Sequence, residues 1–133
     1  VKKVACLLLL LSPLFAAAQE CPRPVDVKVP HLLGMWHAVI EGVPQGATLL
    51  FEKHPLYTAS VSGAINRNGD KGVVSGELED GEFSMEESAD GRRIFATWVG
   101  AVVEGSCGRE IRGTWQRDGA ALAHPFVLRK LPS

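Results

Sequence analysis

The sequence predicts an all-β domain, a single eight-stranded antiparallel up-and-down β-barrel. Three observations carry this. An apolar-x-Gly-x-apolar pattern recurs over residues 61–65, 74–78 and 111–115. Side chains on a strand alternate between faces, so each copy sets two apolar groups and a glycine on one face. Asn68-Gly69, Asp80-Gly81, Asp90-Gly91 and Asp118-Gly119 punctuate the same region, and such dipeptides favour the positive-φ turns that join twisted antiparallel strands. Beyond residue 18 no stretch shows helical periodicity over ten or more residues. Eight short strands in sequence deal with their edges by closing into a barrel or folding as a sandwich. Regular hairpin spacing favours the barrel, with an open β-sandwich as the alternative.

The strands are expected in order. Residues 1–18 combine a basic start, the apolar run from Ala5 to Leu11 and the small-residue exit Ala16-Ala17-Ala18. This is the pattern of a secretory signal peptide cleaved near Ala18, and the run falls short of the roughly 20 residues that span a bilayer. Residues 19–33 hold Pro22, Pro24 and Pro30 and are expected to form an extended lead-in without helix. The barrel domain follows over 34–133. Its first strand, 35–41, turns Trp36, Ala38 and Ile40 to one face. The second spans 47–54. The third (59–66) and fourth (72–79) carry the first two glycine copies. The fifth, 82–88, points Phe83 and Met85 inward. The sixth, 93–103, is expected to be the longest, with Ile94, Ala96 and Trp98 inward and a bend at Gly100. The seventh is 109–116, and the eighth, 126–130, follows a looser link through His124-Pro125. The inward glycines either relieve crowding where strands coil tightly or leave room for a ligand.

Loss of the leader removes Lys2 and Lys3, so 12 of the 14 basic residues remain against 15 acidic ones, a formal charge of −3. That balance offers no electrostatic footprint for nucleic acid. Cys6 leaves too, and Cys21 and Cys107 remain. In an oxidising compartment, periplasmic or secreted, they most simply form one disulfide. Cys107 as a nucleophile would need a base beside it, and no histidine is near it in sequence.

Gly34-Met35-Trp36 opening the first strand, together with Arg129 on the last, resembles the Gly-x-Trp and late arginine of the calycin barrels, the lipocalins, avidins and their relatives. That resemblance implies a closed barrel in which Arg129 packs across Trp36. The run from Ile111 to Trp115, followed by a glycine-containing turn and residues 126–129, is similar to the tail of small β-rich domains that precede some exported α/β-hydrolases.

Candidate functional residues are few. Trp36, Trp98 and Trp115 fall on inward faces and either line a pocket for an apolar ligand or form the core. Phe95 and Val99, with Val73 if its strand is close, face outward and suggest a protein-binding patch. Glu77, Glu79, Asp80, Glu82, Glu86 and Glu87 flank one hairpin; clustered oxygens suit a hard cation, but alternation favours a solvated hairpin. His31, His37, His54 and His124 show no metal-ligand spacing. The expectation is therefore an exported, non-enzymatic binding protein without cofactor or metal, monomeric or dimeric, for a small apolar ligand or a protein partner. The alternatives are an inhibitor of a secreted hydrolase (lysozyme or protease) and a structural or accessory envelope domain.

Overall fold

Eight strands, each hydrogen-bonded to the next and the last to the first, close a barrel in up-and-down order. The computed structural model describes residues 20–133 together with Lys3 and Leu10; the leader expected over 1–18 otherwise lies outside the described residues. The strands are β1 (Gly34–Ile40), β2 (Ala47–Lys53), β3 (Ser60–Arg67), β4 (Asp70–Glu79), β5 (Glu82–Ser88), β6 (Ala96–Val102), β7 (Glu110–Arg117) and β8 (His124–Lys130). Closure comes from β1 against β8, where Trp36 stands opposite Lys130 and Ile40 opposite Phe126, which excludes the open sandwich. Period-two alternation fills the interior with Trp36, Phe51, Phe83, Trp98, Phe126 and Leu128, all essentially inaccessible, as an eight-stranded barrel just wide enough for side chains requires. Among the described residues no helix is long and apolar enough to cross a membrane.

Asn68-Gly69 and Asp80-Gly81 have positive φ at both residues, the two-residue turn whose twist matches its strands. Asp90-Gly91 differs. The Asp90 carboxylate accepts the amides of Arg92 and Arg93 at 2.8 and 2.9 Å, holding residues 89–95 in a bend. The sixth strand consequently starts at Ala96, Ile94 lies outside the barrel and 43% exposed, and β4, with ten residues, is the longest strand.

The glycines settle between crowding and ligand room. A Cβ at Gly63 would stand 1.7 Å from the Leu50 carbonyl oxygen, and one at Gly113 would stand 1.9 Å from that of Val99. Gly113 directly pairs with Gly100, whose own Cβ would lie 2.3 Å from the Arg112 carbonyl. These positions let neighbouring backbones approach where strands coil.

The lead-in is not merely extended. A 3₁₀ turn, Pro24–Asp26, and one helical turn, α1 (Val29–Leu32), fold it across one end of the barrel. Val27, Val29 and Leu32 are buried there, and the carbonyl of Leu32 accepts the Trp36 indole N–H at 2.7 Å. Prolines disfavour a helix interior but not a first turn, and apolar burial supplies what propensity lacks. Cys21 and Cys107 form the expected disulfide, fixing this plug to the β6–β7 loop. Lys130 Nζ donates to the His31 carbonyl at 2.8 Å. The barrel thus has a plugged end and an open end, the latter carrying the β1–β2, β3–β4, β5–β6 and β7–β8 connections.

Candidate functional site

Alternation along β5 turns Phe83, Met85 and then Glu87 inward, so a carboxylate enters the core near the open end. Glu87 is only 4% exposed. Its Oε2 accepts three hydrogen bonds: from Arg67 Nη2 at 2.8 Å, Trp98 Nε1 at 3.0 Å and Trp115 Nε1 at 3.3 Å. Arg67, the last residue of β3, lays its guanidinium over both indoles, 5.5 Å from the Trp115 ring centre and 6.0 Å from that of Trp98. Cation–π attraction and the charge-assisted bonds offset the cost of taking two charges out of water. The compensation is incomplete, because Arg67 Nη1 is buried with no hydrogen-bond partner among the described residues.

A cleft of about 220 Å³ opens beside this cluster, lined by Arg67 and Glu87 with Ile65, Ala89, Asp70, Lys71 and Phe95. At about 30 Å³ per water it has the volume of about seven waters, enough for a small molecule. Phe95 forms one wall. Its N–H donates to the Glu87 carbonyl at 2.6 Å and its carbonyl accepts from Asp118 N–H at 2.9 Å, while Arg117 stacks on its ring at 5.0 Å. At the rim, hydrogen bonds from the Arg93 and Arg92 amides, then from Ser88, hold Asp90 below the usual carboxylate range.

Trp98 and Trp115 meet edge to face at this end, whereas Trp36 sits by the plug beside Phe51. The three tryptophans therefore line no common pocket; Trp36 and Trp98 are fully enclosed by core side chains. The outward patch is also revised. Val73 and Val99 are 46% and 54% exposed, but they oppose Ser88 and Ser84 at different levels of β5, about 13 Å apart along the strand. Phe95 is half-buried and faces the cleft. Arg129 does not pack across Trp36: it points outward and donates to Glu110 at 2.8 Å, and Lys130 stands opposite the tryptophan. Glu87 leaves the solvated acidic group for the interior. Sequence reading left Glu87 in the solvated hairpin group and passed over Arg67, although the alternation that placed Phe83, Met85, Val61 and Ile65 inward reaches both.

Among the described residues no three His, Cys, Asp or Glu side chains gather as metal ligands. No family model matches the chain, and no curated protein matches it significantly.

Proposed function

We propose that this is an exported, non-enzymatic binding protein that holds a small amphipathic ligand at the open end of its barrel. The observation that carries the reading is the Glu87–Arg67 pair, buried in an otherwise apolar core directly beside the cleft. A core gains nothing in stability from such a pair over apolar packing, and charge retained at a cleft is the mark of a binding site. Ile65, Ala89 and Phe95 offer an apolar wall, and Arg67 Nη1 lacks an acceptor. A short aliphatic carboxylate suits the apolar wall, with Lys71 rather than the enclosed Nη1 as its first cationic contact and Asp70 as the opposing charge at the rim. Export is supported by the leader-like start and the Cys21–Cys107 bridge, since disulfides persist in oxidising compartments. Membership of the calycin barrels belongs to the same proposal, on the strength of Gly34-x-Trp36 and the strand order. A binding role suits Glu87, whose Oε2 is committed to three donors and anchors Arg67 and both indoles.

The test is tryptophan fluorescence titrated with octanoate, with octanol and octylamine alongside. Saturable change with octanoate, weaker with octanol and absent with octylamine, is expected, and Ala89→Trp, which fills the cleft while leaving both charged residues in place, should block octanoate as read by calorimetry. Equal response to all three compounds, or binding undiminished in Ala89→Trp, overturns the reading.

A second reading, inhibition of a secreted hydrolase, is favoured by the β2–β3 loop at the plugged end. Leu56 and Tyr57 are 77% and 63% exposed, yet His54 Nδ1 accepts both of their amides, at 3.1 and 3.2 Å, and its ring packs 5.0 Å from that of Tyr57. A pre-ordered apolar loop loses little entropy on docking. Near-stoichiometric inhibition of a lysozyme or protease, lost in Leu56→Ala/Tyr57→Ala, would support it.

A further inference from the structure

On the outer face, neighbouring strands set apolar side chains directly opposite one another. Met35 on β1 pairs with Leu50 on β2, Leu50 with Ala64 on β3, and Ala64 with Val73 on β4. Leu131 extends the row beyond β1, its N–H bonded to the Met35 carbonyl at 2.8 Å. Met35 and Val73 are nearly half exposed, and a groove of about 600 Å³ opens over Met35, Leu50 and Ala64 and continues over His37, Thr48 and Asn66. Two residues nearer the open end, the next outward row reads Arg129, His37, Thr48, Asn66 and Lys71. Two residues nearer the plug it reads Glu52, Ser62, Ser75 and Glu86. The apolar band thus runs between a margin carrying Lys71 and Arg129, the latter paired with Glu110, and a margin carrying Glu52 and Glu86.

We infer that this face joins two copies of the chain in a twofold dimer whose axis lies along the apolar row. Rotation about that axis lays the row on its own image and turns each copy's basic margin onto the other's acidic margin. An axis along the strands would instead set like charge on like. The favoured arrangement brings Lys71 of one copy over the site where Ser75 and Glu86 pair on the other, and His37 toward Glu52. Among the described residues the ion pairs within the chain engage Arg129 of this margin, with Glu110, but neither Lys71 nor Glu86, so those two carry the contact. Five strands spaced about 4.8 Å apart and three outward rows give a footprint of about 400 Å² per copy. That is about half of what a standard stable interface buries on each side, so the dimer is a weak one, forming in the upper micromolar range.

Sedimentation velocity across about 10 µM to 1 mM, spanning the dissociation constants a small interface gives, tests this on the chain lacking residues 1–18. A concentration-dependent monomer–dimer equilibrium is expected. Met35→Glu abolishes it. Lys71→Glu and Glu86→Lys each weaken it roughly tenfold, since reversal turns two symmetry-related attractions into repulsions, and the double reversal restores it. All three positions are exposed, so an unchanged near-ultraviolet circular dichroism spectrum checks the fold of each variant. A monomer throughout the range, a dimer indifferent to Met35→Glu, or a double reversal that fails to recover the loss overturns the proposal.

Discussion

Arg67 and Glu87, twenty residues apart in the chain, form an ion pair inside the open end of the barrel, 2.8 Å from nitrogen to oxygen. The pair is held in place by two tryptophans, each donating its indole N–H to the same carboxylate oxygen that the guanidinium grips. Removing either charge strands the other.

Glu87→Ala is therefore expected to destabilise the fold by about 3–5 kcal/mol, the range for breaking a buried pair on one side. Replacing both residues, as Arg67→Met/Glu87→Met, should recover most of that loss while abolishing the binding of carboxylate probes. Urea denaturation of the two single variants and the double variant measures the coupling. A double variant no more stable than Glu87→Ala would mean that packing, and not charge, is what the pair contributes.

Gly63→Ala would drive a methyl group into the Leu50 carbonyl, so strands β2 and β3 must separate. Overpacking of this kind typically costs about 1–3 kcal/mol and occasionally more, and the backbone as obstacle places Gly63→Ala at the upper end. Gly76→Ala meets its nearest atom at 3.1 Å and should cost less. Thermal melts of the two variants check the order.

Cys21→Ala/Cys107→Ala is expected to lower stability by about 4.6 kcal/mol, the loop-closure value for a bridge spanning 86 residues. The loss should be uneven. Hydrogen exchange will rise first in residues 21–33 and around Trp36, which the plug covers, while amides near Trp98 and Trp115 keep their protection.

Glu110 supplies a pH dependence. Burial alone would raise its pKa, but hydrogen bonds from Arg129 and Arg112, and their charges, outweigh this and leave it below the ordinary glutamate value. A depressed folded pKa contributes stability that is complete above the unfolded value, about 4.3, and is lost as pH falls through the folded one. The wild type should therefore lose stability below about pH 4.3 more steeply than Glu110→Gln, as read from urea midpoints between neutral pH and about pH 3.

Much of the barrel was legible because its cues are local. Alternation marked the inward residues of β1 to β5, and Asn68-Gly69 and Asp80-Gly81 marked two turns. What escaped depends on contacts distant in sequence. The bend before β6 arises from the Asp90 carboxylate turning back on two amides, so the inward alternation of β6 begins at Ala96, two residues after Ile94. The helical turn at Val29 exists because three apolar side chains have an open barrel end to cover. Arg67 and Glu87 stood on the inward parity of their strands, but each lies at or next to a strand end, and only closure of the barrel reveals that they face each other and the indoles of Trp98 and Trp115. Outward apolar residues such as Met35 and Leu50 looked scattered along the chain; register alone aligns them.

Up-and-down order with an even number of strands brings Gly34 and Lys130 to the same end, the plugged one. Anything attached at either terminus, whether a lipid, a neighbouring domain or a solid support, therefore stands behind the barrel. The cleft at Arg67 and Glu87 is left facing away from the point of attachment, so an immobilised or fused copy should sample the surrounding medium as freely as an untethered one.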